Sequence, residues 1–292
     1  MLSRQTKLKG LFFIVGLLLI SCGNSDQQKA QGYLNKAQVY YNQSHYNQAK
    51  LALDSISILF PQLIPMRQKA DTMMYKIELQ EAKRNLQYAD SVLVVKQQIV
   101  DSLAHPFSYS KDTKYDEIGQ YTYKAQQTTA DATRTFLKPT IDETGVLTIM
   151  SIYCGAPIGH TTVKASTNGV FAETLPAAKG DCFSYSNLGK TWENVNFTGK
   201  AINGLVTFIG NNVKLPITIS LEGGKRTVSY LMQQKDKEAI AHAYYLSEAL
   251  KEVQQLKLSV LQAKQTIVIT SGHLHLDART ILQTVEGKKT IN

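Results

Sequence analysis

No basic stripe runs through this chain. The formal charge is +9, yet Lys and Arg are spread along the sequence without gathering on one face, which argues against nucleic-acid binding. A phosphate loop is missing too: Gly223-Gly224-Lys225-Arg226-Thr227 lacks the earlier Gly and the Ser or Thr directly after Lys, and reads as a hairpin turn. The carboxylate pair of a glycosidase cannot be picked out. The strand-rich region holds only Glu173, Asp181, Glu193 and Glu222, each beside an ordinary turn or strand face. His273 and His275 would share one face of a strand, but no third metal ligand stands near them. No metal or other cofactor is therefore expected, and the reading is not that of an enzyme. Apolar runs are also short. The run from Leu11 to Ile20 falls well below the roughly 20 residues of a membrane span. It follows Arg4, Lys7 and Lys9 with no acidic residue before it, so residues 1–21 are expected to be a cleaved export signal.

What is present begins at the end of that run. Leu19, Ile20, Ser21 and Cys22 resemble the lipobox of bacterial lipoproteins, with Cys22 in the place of the family's invariant Cys. The resemblance implies export, acylation of the Cys22 thiol and cleavage just before it. Gly23 stands where an inner-membrane retention signal carries Asp, so the resemblance implies the outer membrane, with the leaflet left open. Of the three cysteines, assigning Cys22 to lipid leaves Cys154 and Cys182. A disulfide between them and two buried free thiols both fit, because sequence does not supply the Cα separation that decides.

The small, polar residues 22–30 read as a tether. From residue 31 to 104 the period is helical. The spacing of Tyr33, Ala37, Tyr40, Tyr46, Ala49, Leu53, Ile56 and Pro61 resembles one tetratricopeptide repeat, and a plain helical hairpin fits equally. A long helix follows over Met66 to Leu103, with a seam through Tyr75, Leu79, Ala82, Leu86, Ala89, Leu93, Lys96, Val100 and Leu103. A second long helix is expected over 233–264. The two are expected to pair antiparallel as a stalk, the rival being separate pairing of each with another chain. Residues 105–132 read as a linker with a short strand near Gln120, and residues 133–232 as a β-sandwich of about eight strands, from hairpin marks roughly every ten residues. Gly210 to Asn212 is one of those marks. Residues 265–292, opening with QTIVITSGHLHL, read as one more strand and a tail. The expected class is thus α+β: a helical hairpin and long helices forming an antiparallel coiled-coil-like stalk, with an inserted antiparallel β-sandwich.

Candidate sites are few. Trp192, the single tryptophan, with Tyr185 and Phe197 on neighbouring strands, forms either a stacking platform for a sugar or part of the core. Cys154, His160 and Cys182 could be drawn as a zinc site or as a thiol with a base, but no orienting partner is in view. Asp54-Ser55-Ile56, Asp71-Thr72-Met73, Asp90-Ser91-Val92 and Asp101-Ser102-Leu103 resemble the acceptor for O-glycosylation of exported proteins in Bacteroidetes. That resemblance implies modification at Ser55, Thr72, Ser91 and Ser102, and with the lipobox it implies an envelope lipoprotein of that phylum. The expected role is non-catalytic: a lipid-anchored interaction or scaffolding module for another envelope protein. The alternative is a carbohydrate-binding surface lipoprotein.

Overall fold

The computed structural model describes residues 21–287 apart from 113, 115, 116, 188 and 225, and leaves out the side chains of residues 21–24 and 187. The export signal, the lipobox side chains including Cys22, and the tail from Lys288 lie outside the described residues. The helices are α1 (Ser21–Asn42), α2 (Tyr46–Leu59), α3 (Ile64–Ala104), α4 (Leu205–Asn211), α5 (Gln234–His273) and α6 (Ala278–Gly287). The chain divides into two units, one of Met1–Asp90 with Leu258–Asn292, the other of Ser91–Lys257.

In the first, helical unit, Ala37 and Ala49 are fully buried, since only a small side chain lets α1 and α2 approach closely. Leu53, Ile56, Phe60, Met66 and Ile77 complete this core. The turn between the helices carries Ser44 at φ 59°, and the His45 N–H donates to the Tyr40 carbonyl. Two expectations are corrected here. The tether over 22–30 is helix: Gln27, Gln28 and Lys29 are good helix formers, and Ala30 is fully buried in the α1–α2 core. The strand expected at 265–276 is also helix, because α5 runs on to His273. Its β-branched run suggested a strand. However, Val260, Ala263 and Ile267 recur at helical spacing and pack with Leu79, Ala82 and Leu86 of α3 and Val285 of α6. His273 stacks flat on Tyr75, ring centroids 4.1 Å apart, and His275 sits in the following turn at φ 55°, so the two histidines share no strand face.

The second unit holds two antiparallel sheets. Their strands are β1 (Phe107–Ser110), β2 (Gln120–Tyr123), β3 (Phe136–Asp142), β4 (Leu147–Gly155), β5 (His160–Thr167), β6 (Val170–Glu173), β7 (Cys182–Asn187), β8 (Lys190–Thr198), β9 (Thr218–Gly223) and β10 (Thr227–Leu231). Six form one sheet in the order β1-β2-β3-β4-β8-β7, and four the other in the order β10-β9-β5-β6. Strands β1 and β2 lie within the stretch read as linker. Strand β4 shows why strand form wins: Leu147, Ile149, Ser151 and Tyr153 are buried, and the residues between them are half-buried. Both sheets feed one core, with Ile149, Val195 and Phe197 from the first and Val163, Ala165, Ile219 and Leu221 from the second. Leu205 and Ile209 of α4 and Ala239, Ile240 and Leu246 of α5 join it. Gly210 to Asn212, expected as a hairpin, is the end of α4, whose Leu205, Val206 and Ile209 are buried on one face. Within this unit Lys96, the polar break in the seam of α3, pairs with Glu252 of α5 at 2.6 Å.

The turn from β3 to β4 needs its glycine. Gly145 has φ +93°, and a Cβ there would lie 2.8 Å from the Ser247 carbonyl oxygen. That same approach lets the Ser247 hydroxyl donate to the Gly145 carbonyl at 2.6 Å.

Candidate functional site

Three residues far apart in sequence meet in the core of the second unit. His160 opens β5 beside a bulge in its pairing with β9, while Ser151 of β4 and Glu193 of β8 occupy inward positions of their strands. His160 Nδ1 lies 2.9 Å from Glu193 Oε2, and Nε2 lies 3.0 Å from Ser151 Oγ. A carboxylate only accepts, so Nδ1 carries the proton and donates to Glu193; the neutral ring then accepts the Ser151 hydroxyl proton at Nε2. Glu193 also accepts the backbone N–H groups of Ile158, Gly159 and His160, at 2.7 to 3.2 Å. Burial pushes the Glu193 carboxyl up, but the Gly159 N–H, the His160 ring and the Ile158 and His160 N–H groups outweigh it, so the acid stays below its ordinary 4.5. Burial likewise lowers His160 from 6.5, against the pull of Glu193.

The connectivity is that of a Ser-His-acid relay. Ser151, however, is 0% exposed, so in this arrangement a substrate carbonyl does not reach its oxygen. The cluster acts as a polar clamp joining β4 and β8 of one sheet to β5 of the other. Its pH dependence follows in sign. Below about 6.5 the unfolded chain takes up a proton that folded His160 refuses, so stability falls with pH in that window. The contribution of Glu193 is full above about 4.5 and is lost as pH drops through its lower folded value. Both act in one direction. The thermal unfolding midpoint is expected to fall between about pH 7 and about pH 5, and less steeply in His160→Gln; equal slopes for the two proteins would refute this.

His160 thus finds Glu193 and Ser151 as partners rather than a cysteine. Cys154 and Cys182 are free thiols, which corrects the disulfide expectation. Strands β4 and β7 flank β8, so the two cysteines are about 9.5 Å apart across the sheet alone, beyond the roughly 7 Å limit for a bridge. Register offsets them further, since Cys154 stands opposite Trp192 and Cys182 opposite Val195.

Trp192 and Tyr185 do come together. They face each other across β8 and β7, ring centroids 5.4 Å apart with planes 3° from parallel. The Trp192 indole N–H donates to the Ala132 carbonyl at 3.0 Å, which fixes the ring. Phe197, by contrast, is core. Strand β7 is an edge of its sheet, and its Phe183 and Tyr185 are 57% and 55% exposed. They share the outward face with half-buried Trp192, Asn194, Ile152 and Cys154. On that face the side-chain oxygens of Asn194 and Asn196 are shielded from solvent and have no hydrogen-bond partner among the described residues. Sequence reasoning missed Phe183, although Phe183-Ser184-Tyr185 alternates as an aromatic-bearing strand does.

Of the acceptor hydroxyls, Thr72, Ser91 and Ser102 are exposed on α3. Ser55 of α2 is half-buried, its hydroxyl donating to the Leu51 carbonyl at 2.8 Å. No described helix is long and apolar enough to cross a membrane. Among the described residues no group of three or more His, Cys, Asp or Glu side chains is placed to hold a metal ion. Comparison with protein-family models, curated proteins and solved structures finds no match.

Proposed function

We propose that this chain is a lipid-anchored cell-envelope protein, held at the outer membrane through Cys22 and acting as a non-catalytic interaction module. The observation that carries the reading is the open edge at β7. Its backbone is unpaired on one side, and Phe183 and Tyr185 stand exposed beside it with Trp192 behind. An edge strand flanked by exposed aromatics suits strand addition, in which an extended segment of a partner pairs with the backbone and the rings supply anchoring contacts. The partner is accordingly an extended segment of another envelope protein. The finer architecture belongs to the same reading: the long helices pair as an antiparallel coiled-coil-like stalk, and the β-rich segment inserted between them in sequence forms a sandwich. It is supported within each unit, by Tyr75 on His273 in one and Lys96 with Glu252 in the other. Glycans on Ser55, Thr72, Ser91 and Ser102 are part of it, supported by the exposure of three of the four.

A second reading, carbohydrate binding, is favoured by the Tyr185 ring, open to solvent and backed by Trp192. A photo-crosslinking amino acid in place of Tyr185 in intact cells is expected to trap one defined protein, and Phe183→Asp to abolish the adduct. The intact mass of the same material should exceed that of the bare polypeptide by the acyl chains and any glycans. Loss of protein adducts from wild-type cells, together with glycan binding that Tyr185→Ala removes, would transfer the assignment to the carbohydrate reading.

A further inference from the structure

The helical unit contains a cleft of about 370 Å³ between α2, α3 and α6. Gln80, Lys83 and Arg84 of α3 line one wall at helical spacing, Tyr46 of α2 stands beside them, and Ile281 and Val285 of α6 form an apolar floor. Its charge is unbalanced. Neither Lys83 nor Arg84 forms an ion pair with any described residue, and the carboxylates nearby are already engaged. Glu81 holds Lys50 at 2.5 Å, Glu286 holds Lys264 at 2.6 Å, and Asp277 accepts from the Thr280 hydroxyl and the N–H groups of Arg279 and Thr280. The Arg84 guanidinium is steadied over the Tyr46 ring, 5.7 Å from its centroid.

Hydrogen-bond accounting points the same way. The hydroxyl protons of Thr280 and Thr284 are given to Asp277 and to the Thr280 carbonyl. The remaining donors are the Lys83 ammonium, the Arg84 guanidinium, the Gln80 amide and the Tyr46 hydroxyl. A cleft with two adjacent cations and spare donors suits a dianionic oxyanion, and a phosphomonoester carries about −1.5 to −2 at neutral pH. The volume exceeds what one phosphate fills, and the apolar floor accommodates the body that the phosphate is attached to. We infer that the cleft between α2, α3 and α6 binds a phosphate-bearing small ligand, its phosphoryl oxygens held by Lys83 and Arg84.

The test uses the full chain, with glycerol 3-phosphate as the soluble probe in calorimetry and vesicles containing phosphatidylglycerol in co-sedimentation. Saturable binding of the soluble probe is expected, weakened about tenfold or more by Lys83→Gln and by Arg84→Gln, and weakened as salt rises from about 50 to about 300 mM. Both side chains lie at the surface, so the melting curves of the variants should match wild type. Binding confined to vesicles and lost in both variants would assign the phosphate to a lipid headgroup. Absence of binding in both arms, or binding unchanged in the variants, would overturn the inference.

Discussion

Replacing Glu193 by Ala is expected to destabilise the protein by about 3–5 kcal/mol, the usual cost of breaking a buried charged network by removing one partner. One carboxylate accepts from Ile158, Gly159 and His160 backbone groups and from the His160 ring. Truncating it leaves several buried donors unpaired, and the positive φ of Gly159, +66°, belongs to the turn that those bonds hold. For a unit of this length the loss corresponds to a fall in melting temperature of roughly 10 °C. Ser151→Ala removes one hydroxyl donor from the same cluster and is expected to cost only about 1 kcal/mol. Chemical denaturation of the two variants checks the ranking. Equal losses would mean that the cluster is held by packing rather than by the carboxylate.

The second large effect is expected at Asp236, in the first turn of α5 and 0% exposed. Its two oxygens accept from Arg134 Nη1 and Nη2 at 2.6 and 2.7 Å, and Oδ1 also accepts from Gln126 Nε2 at 2.6 Å. Arg134 bonds onward to Asp131, which Lys235 also holds, and its guanidinium lies 3.9 Å from the centre of the Phe136 ring. Burial pushes the Asp131 carboxyl up, yet Lys235, Thr128 and Arg134 more than offset this and hold it well below the usual carboxylate range. Burial works against the Arg134 charge, and Asp236 with Asp131 restores it. Asp236→Ala strips Arg134 of its bidentate partner and is expected to cost about 3–5 kcal/mol, whereas replacing Arg134 by Met and Asp236 by Leu together should cost much less, since no lone charge stays buried. A double-mutant cycle on unfolding free energies separates the two. Additive losses would show that the pair is not coupled.

Several elements were legible before any coordinates. Period and turn chemistry marked α2, most of α3 and α5, and the strands from β3 onward, because those segments carry apolar residues at the spacing of their own backbone. Three segments were misread for one shared reason. The TIVIT run of α5, the GLVTFIG run of α4 and the polar start of α1 have weak or contrary local preferences, and their state is set by what they pack on: Ile267 against α3, Leu205 and Ile209 in the sheet core, Ala30 under α2. The clamp left a trace that could have been followed. Ser151 alternates with Ile149 and Tyr153, and Glu193 with Val195 and Phe197, so each is a polar residue at an inward strand position. What no local pattern contains is that residues 151, 160 and 193 meet, since strand order alone brings them together.

By itself, then, the sequence determined the periodic elements, the mixed helix and strand composition, and the candidate residues a chemist would inspect. Tertiary structure alone decided that His160 pairs with Glu193 and Ser151 rather than with a thiol, that Cys154 and Cys182 are held apart by β8, and that Phe183 and Tyr185 stand at an open edge. The reason is physical. Periodicity is a property of neighbours within a few residues, whereas hydrogen-bond satisfaction in a core and exposure at a sheet edge depend on which strands lie side by side.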